Sequence, residues 1–131
     1  MNRKLAREMA MKLIFQMDIQ NDFSNERINK FLGELPEDNQ RDYIRELAEC
    51  FINNKEEIDN RIEENAKGWK INRIAKVDLT ILRVAIGEIY YMEDIPEIVS
   101  VNEAVEMAKT FSAEDSSKFI NGVLGSILEK K

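Results

Sequence analysis

Residues 94–128, DIPEIVSVNEAVEMAKTFSAEDSSKFINGVLGSIL, decide the fold class, because two helix starts and two apolar faces can be read in them residue by residue. Ser100 precedes Val101-Asn102-Glu103, so its hydroxyl is placed to cap free N–H groups while Glu103 reaches back, a capping box. From there Val101, Ala104, Val105 and Ala108 recur at i, i+3, i+4 and i+7, one face of a helix that stops after Phe111. A second helix is expected from about Ser112, with Glu114 and Asp115 in its first turn, where the helix dipole favours acids. It carries two adjoining rows, Phe119-Val123-Ile127 and Ile120-Leu124-Leu128. On these grounds the segment is an antiparallel helix pair.

The same periodicity runs outward to both ends. Leu5, Met9, Leu13 and Met17 step by four, with Ala6, Ala10 and Ile14 beside them, and predict a first helix. Asn21-Asp22-Phe23-Ser24-Asn25 is a turn cluster, and a short helix after it ends at Gly33, a glycine suited to the position past a C-terminus. Leu35-Pro36-Glu37-Asp38 opens a third helix, since proline is tolerated in a first turn only. That helix buries Tyr43-Leu47-Phe51 and Ile44-Ala48-Ile52 and breaks at Asn53-Asn54. Ile58, Ile62 and Ala66 line the next, which ends at Gly68, and Trp69 begins a connector. Residues 74–90 form the most apolar helix, ended at Glu93-Asp94-Ile95-Pro96 because the residue before a proline is pushed out of the helical region. No strand-like alternation competes, so the chain is all-α. Helices before the Gly68-Trp69 connector form one sub-bundle, about residues 1–67, and those after it a second, about 68–131, within a single domain that shares one core.

Composition excludes more than it identifies. A chain of 131 residues with 44% hydrophobic and 34% charged residues folds around a real core and is not disordered. Five glycines and two prolines are too few for the turns of an all-β fold. No apolar run approaches the roughly 18 residues of a membrane span. No signal peptide is expected either, because Arg3, Lys4, Arg7 and Glu8 interrupt the N-terminus. The single Cys50 cannot form an internal disulfide, in keeping with a reducing cytosol. There is no histidine, which removes the commonest general base, the Ser-His and Cys-His nucleophile pairs, and imidazole metal ligands. Gly33, Gly68, Gly87, Gly122 and Gly125 fall in no phosphate-cradling frame. The acid pairs Glu56-Glu57, Glu63-Glu64 and Glu114-Asp115 are sequence neighbours, which on a helix point about 100° apart and do not share a site. Neither enzyme activity, nor a metal site, nor a cofactor is expected.

Net charge of −6 and a pI of about 4.8 argue at first against a nucleic-acid partner. Their distribution reverses that. Residues 1–12 carry Arg3, Lys4, Arg7 and Lys12 against Glu8 alone, and residues 34–64 carry eleven acids against four bases. Residues 67–83 carry Lys67, Lys70, Arg73, Lys76 and Arg83 against Asp78 alone. An acidic middle between two basic segments is a polarised surface, and local patches steer phosphate more than total charge does.

Several short runs carry a more specific signal. Ile95-Pro96, Asn102-Glu103-Ala104, Ala108-Lys109, Phe111, Glu114-Asp115-Ser116, Lys118-Phe119 and Asn121-Gly122-Val123-Leu124 resemble, in order and spacing, the C-terminal half of the NusB family of bacterial antitermination factors. Ile81-Leu82-Arg83-Val84-Ala85 followed by Glu88 is similar to another family helix, and Ala6-Arg7-Glu8 followed by Phe15-Gln16 to its opening one. Residues 23–67 match loosely. The resemblance implies two three-helix sub-bundles and a cytoplasmic, non-catalytic transcription antitermination factor. It also implies partners: NusE, which is a ribosomal protein of the small subunit, and single-stranded boxA RNA of nascent transcripts, notably ribosomal RNA. The pair would load that RNA onto RNA polymerase with other Nus factors.

Carried over by position, Arg3, Lys4 and Arg7 resemble the family's arginine-rich element that touches RNA phosphates, although Leu5 interrupts the run. Phe15, Lys118 and Phe119 are RNA-binding candidates, since rings stack on splayed bases and a lysine pairs a phosphate. Core packing is the other reading of both rings, and plain helix surface that of the lysine. Asp78 and an exposed flank of the 74–90 helix are the candidates for NusE contact. Two further readings stay open. One is a NusB-like module of the kind fused to rRNA cytosine methyltransferases, which would need a glycine-rich cofactor domain downstream of Lys131. The other is an acidic helical adaptor that binds only proteins, as a homodimer or otherwise.

Overall fold

The computed structural model describes Met1–Lys131 as six helices and no strand. They are α1 (Arg3–Gln20), α2 (Asn25–Gly33), α3 (Arg41–Asn65), α4 (Lys76–Tyr91), α5 (Glu97–Phe111) and α6 (Ser116–Glu129), with a single 3-10 turn at Ile71–Arg73 between α3 and α4. The all-α expectation stands.

Short polar side chains set the first two starts. The Asn2 side chain accepts from the Leu5 N–H at 2.8 Å to open α1, and the Ser24 hydroxyl accepts from the Arg27 N–H at 3.2 Å to open α2. Asn21, at φ 49°, takes the left-handed conformation that ends α1. Four boundaries differ from the sequence expectation, some through tertiary contacts and some through local ones. Residues 36–40 are not helical: the Met1 ammonium pairs with Asp38, whose other oxygen accepts from the Gln40 N–H at 2.9 Å, and α3 begins only at Arg41. The break expected at Asn53-Asn54 is a kink inside one long helix, where Asn54 (φ −128°, ψ 22°) turns its side chain to donate to the Cys50 carbonyl at 2.9 Å. Helix α5 starts directly after Pro96, so Ser100 is buried inside it and caps nothing; its hydroxyl donates to Glu88 Oε1 at 2.7 Å. Ser112 closes α5 instead of opening α6, which starts at Ser116, with Glu114 and Asp115 in the turn before it.

Helix α4 is the axis of the molecule. It packs against α1, α3, α5 and α6, and every residue from Asp78 to Ile89 is buried. An exposed flank on this helix, expected as partner surface, is therefore absent over that span: packing on all sides has used it up. Gly87 lets α3 come close, because a Cβ there would lie 2.8 Å from Leu47 Cδ1. A single continuous core joins residues of all six helices.

Candidate nucleic-acid interface

Polar residues buried against α4 fix the frame. Glu88 is fully buried and accepts from Arg7 Nε at 2.7 Å, from the Tyr43 hydroxyl and from Ser100, so one carboxylate ties α1, α3 and α5 to α4. Burial, the largest influence on Arg7, works against its charge. The hydrogen bond and charge of Glu88, with Tyr43 and Glu103, outweigh it and hold the guanidinium above its ordinary pKa. Burial, then the Glu88 carboxylate, pushes the Tyr43 phenol far up. Asp78 is also buried, and accepts from both Ser112 and Ser116, the latter at 2.9 Å, which locks the α5–α6 junction onto α4.

The structure separates the three N-terminal cations. Arg3 lays its guanidinium 4.2 Å over the Tyr43 ring and donates to Gln40 Oε1 at 2.7 Å. Lys4 is exposed and makes no ion pair. Arg7 lies on the same side of α1 as Ala6 and Ala10, only 3% exposed, its charge taken by Glu88 and by Glu103 at 3.5 Å. It has no guanidinium edge at the surface to offer a phosphate. Along the outer side of α1, Lys4 and Lys12 lead towards Phe15.

Phe15 is half-buried. With Phe111 it walls a cleft of about 290 Å³ whose floor includes Val77 and Thr80 of α4, and Lys12 stands 5.9 Å over the Phe111 ring. Phe119 is half-buried as well, packed against the core by part of its ring. The rest lines two clefts, of about 310 and 200 Å³. Ile74, Ala75 and Asp78 of the α4 start wall the larger one, and exposed Lys118 the smaller. The first turns of α4 thus bring Phe15 and Phe119, distant in sequence, to two sides of one element. Asp78 enters this region as a buried anchor of the junction, not as an exposed acid.

Sequence periodicity places Trp69 only at the start of a connector. In the structure it is 53% exposed and lines both clefts beside Phe119. The signal was available: a tryptophan flanked by Lys67, Lys70 and Arg73 is a ring among cations. What periodicity could not supply is the side on which the connector presents it. No group of three or more acidic or cysteine side chains gathers as metal ligands do. No helix is long and apolar enough to cross a membrane.

The family model described as "NusB family" matches residues 4–129. The chain belongs to the NusB family. It is 49% identical over 132 residues to the transcription antitermination protein NusB of Acetivibrio thermocellus, covering all of this chain and 91% of that one. Among solved structures it is similar to NusB of T. maritima, with a TM-score of 0.90 and 28% identity over 99% of this chain and 92% of the other. A crystal structure of the antitermination factors NusB and NusE in complex with dsRNA shares the fold at a TM-score of 0.87, with 24% identity, covering 98% of this chain and 97% of that chain. The all-α arrangement around α4 is the NusB fold.

Proposed function

We propose that this chain is a transcription antitermination factor that binds single-stranded boxA RNA of nascent ribosomal RNA transcripts jointly with NusE, and passes it to RNA polymerase with other Nus factors. It acts in the cytoplasm, as a binder and not as an enzyme. Its two halves, α1–α3 and α4–α6, divide near residue 67. The observation that carries this reading is the pairing of aromatic edges with unpaired cations around the start of α4: Phe15 with Lys12 on one side, Phe119 with Lys118 on the other. Exposed rings stack on bases whatever their sequence, and nearby cations take the phosphates. Lys4 extends the basic line along α1, whereas Arg7 supports it from inside by orienting the helix. Asp78 acts through Ser112 and Ser116, holding Phe119 and Lys118 in place at the start of α6.

The test is fluorescence anisotropy of labelled boxA RNA with the chain, with NusE, and with both. Binding with both should be tighter than with either, and tighter than to an unrelated single strand. If both together bind no better than NusE alone, the reading fails.

A further inference from the structure

Helix α3 ends in a sharp reversal. Lys67 (φ 50°) and Gly68 (φ 92°) take successive positive-φ conformations, the first uncommon for a residue with a side chain and the second natural to glycine. The connector is then pinned: the Ile71 N–H donates to Glu63 Oε2 at 2.9 Å, and the Ile74 N–H closes the turn onto the Ile71 carbonyl at 3.2 Å. Between the reversal and this pinned turn stands Trp69, the one tryptophan in the chain, with half its surface in solvent. Burying an indole is worth more than burying almost any other side chain, so an indole held outward by a pinned turn is poorly explained by folding alone.

Its neighbours say what it faces. Trp69 and Phe119 wall the same two clefts, and the cations bordering them are Arg73 in the larger and Lys67 and Lys118 in the smaller, none with an ion-pair partner. Lys70, beside Trp69, is 75% exposed and only loosely held by Glu63 at 3.7 Å. Against them the two clefts hold Asp115, and Asp78, whose carboxylate is occupied by two serine hydroxyls. A third cleft on Trp69 holds Glu63, already bound to the Ile71 N–H, and Glu64. In a chain of net charge −6, the two clefts shared with Phe119 thus set three cations without ion-pair partners against one free carboxylate, Asp115.

We propose that Trp69 is a base-stacking residue for single-stranded RNA, extending the site at Phe119 along the connector, with Lys67, Arg73 and Lys118 taking the flanking phosphates. The inference rests on the RNA reading above and adds a ring that shares both of the Phe119 clefts. Stacking on an aromatic ring is tolerant of base identity, so Trp69 contributes affinity and strand-path more than sequence choice. Duplex RNA keeps its bases stacked on one another and leaves the indole without a partner.

Because Trp69 is the sole tryptophan, its emission reads this directly. Unlabelled single-stranded boxA RNA should quench it saturably, with the same midpoint as anisotropy of the labelled strand. Trp69→Ala should weaken binding by roughly 5- to 150-fold with its melting curve unchanged, and Trp69→Phe should restore most of the loss. RNA that binds in anisotropy while emission stays flat and Trp69→Ala binds as the parent does would overturn the inference and leave the RNA reading standing. Emission that moves on adding NusE alone, with no further change on adding RNA, would overturn it too by assigning the indole to a protein interface. No anisotropy change with or without NusE would sink the RNA reading itself, and this proposal with it.

Discussion

Glu88 is the residue on which the inner frame depends. A buried ion pair that loses one partner leaves an uncompensated charge, so Glu88→Gln, which strands Arg7, should cost ~3–5 kcal/mol in urea unfolding. Glu103 at 3.5 Å from Arg7 keeps the loss at the lower end of that range. Replacing the pair together, Arg7→Met with Glu88→Leu, should recover much of it, and failure to recover would mean the network specifies more than charge balance. Tyr43 gives a pH signature. Its phenol is held neutral by burial and by Glu88, with a folded pKa above the ordinary 10.0. Its contribution is therefore complete below pH 10 and is lost as pH rises above that value towards the raised folded one. Unfolding midpoints should fall above pH 10, and fall less steeply in Tyr43→Phe; since Tyr91 is raised too, by burial, the comparison with that variant isolates Tyr43. At the surface, Lys118 and Phe119 separate charge from stacking. Lys118→Glu should weaken RNA binding while unfolding stays unchanged, because exposed helix charges contribute little to stability. Phe119→Ala should lose ~1–3 kcal/mol of RNA binding. Its half-exposed ring should cost less folding stability than the ~3–5 kcal/mol of a fully buried phenylalanine. RNA titration and chemical denaturation of the same two variants check both statements.

Among the elements, the helices with strong apolar periodicity were legible and their ends less so. The apolar periods of α1 and α3 were legible because a face that must be buried repeats in any environment, and Tyr43-Leu47-Phe51 is buried throughout. In α1 the buried side runs through Ala6, Ala10, Leu13, Ile14 and Met17, while Leu5 of the expected row is exposed. Ser100 misled because a serine ahead of Asn-Glu has the local form of a cap, whereas its hydroxyl serves a carboxylate twelve residues away on α4. Ser112 misled for the same reason, with Asp78 as the distant acceptor. The α3–α4 crossing yields its own prediction. At Gly87 even a methyl group meets Leu47, so Gly87→Leu should overpack the crossing and cost ~1–3 kcal/mol in thermal or urea unfolding. A variant as stable as the parent would show that α3 can shift outwards without penalty.

For the molecule as a whole, RNA binding through the cations that remain exposed should depend on salt, whereas Arg7 and Arg83 are buried in ion pairs. With single strands, log K falls against log salt by about 0.7 per phosphate neutralised. If Lys12 and Lys118 each neutralise one, replacing both by alanine should flatten the slope by about 1.4, measured with NusE present. An unchanged slope would move the phosphate path elsewhere. Arg7→Ala should act differently, lowering stability more than it changes the slope, because that cation lies inside the fold. Size exclusion of the same samples, with and without NusE, shows whether a second copy of the chain competes for the proposed RNA face.

Fold class, the positions of most helices, the absence of histidine and the family were all present in the sequence, since each rests on local period, residue type or the order of short motifs. The sequence also held the rings and cations of the RNA candidates, but not which way they face. That was decided by the tertiary structure alone. Arg3, Lys4 and Arg7 look alike in one dimension, yet one stacks on Tyr43, one is exposed and one neutralises a buried carboxylate, because burial depends on what α3 and α4 place against each side of α1. Asp78 became an anchor and Trp69 a surface ring for the same reason. Exposure belongs to the packed assembly of helices, and no residue carries it alone.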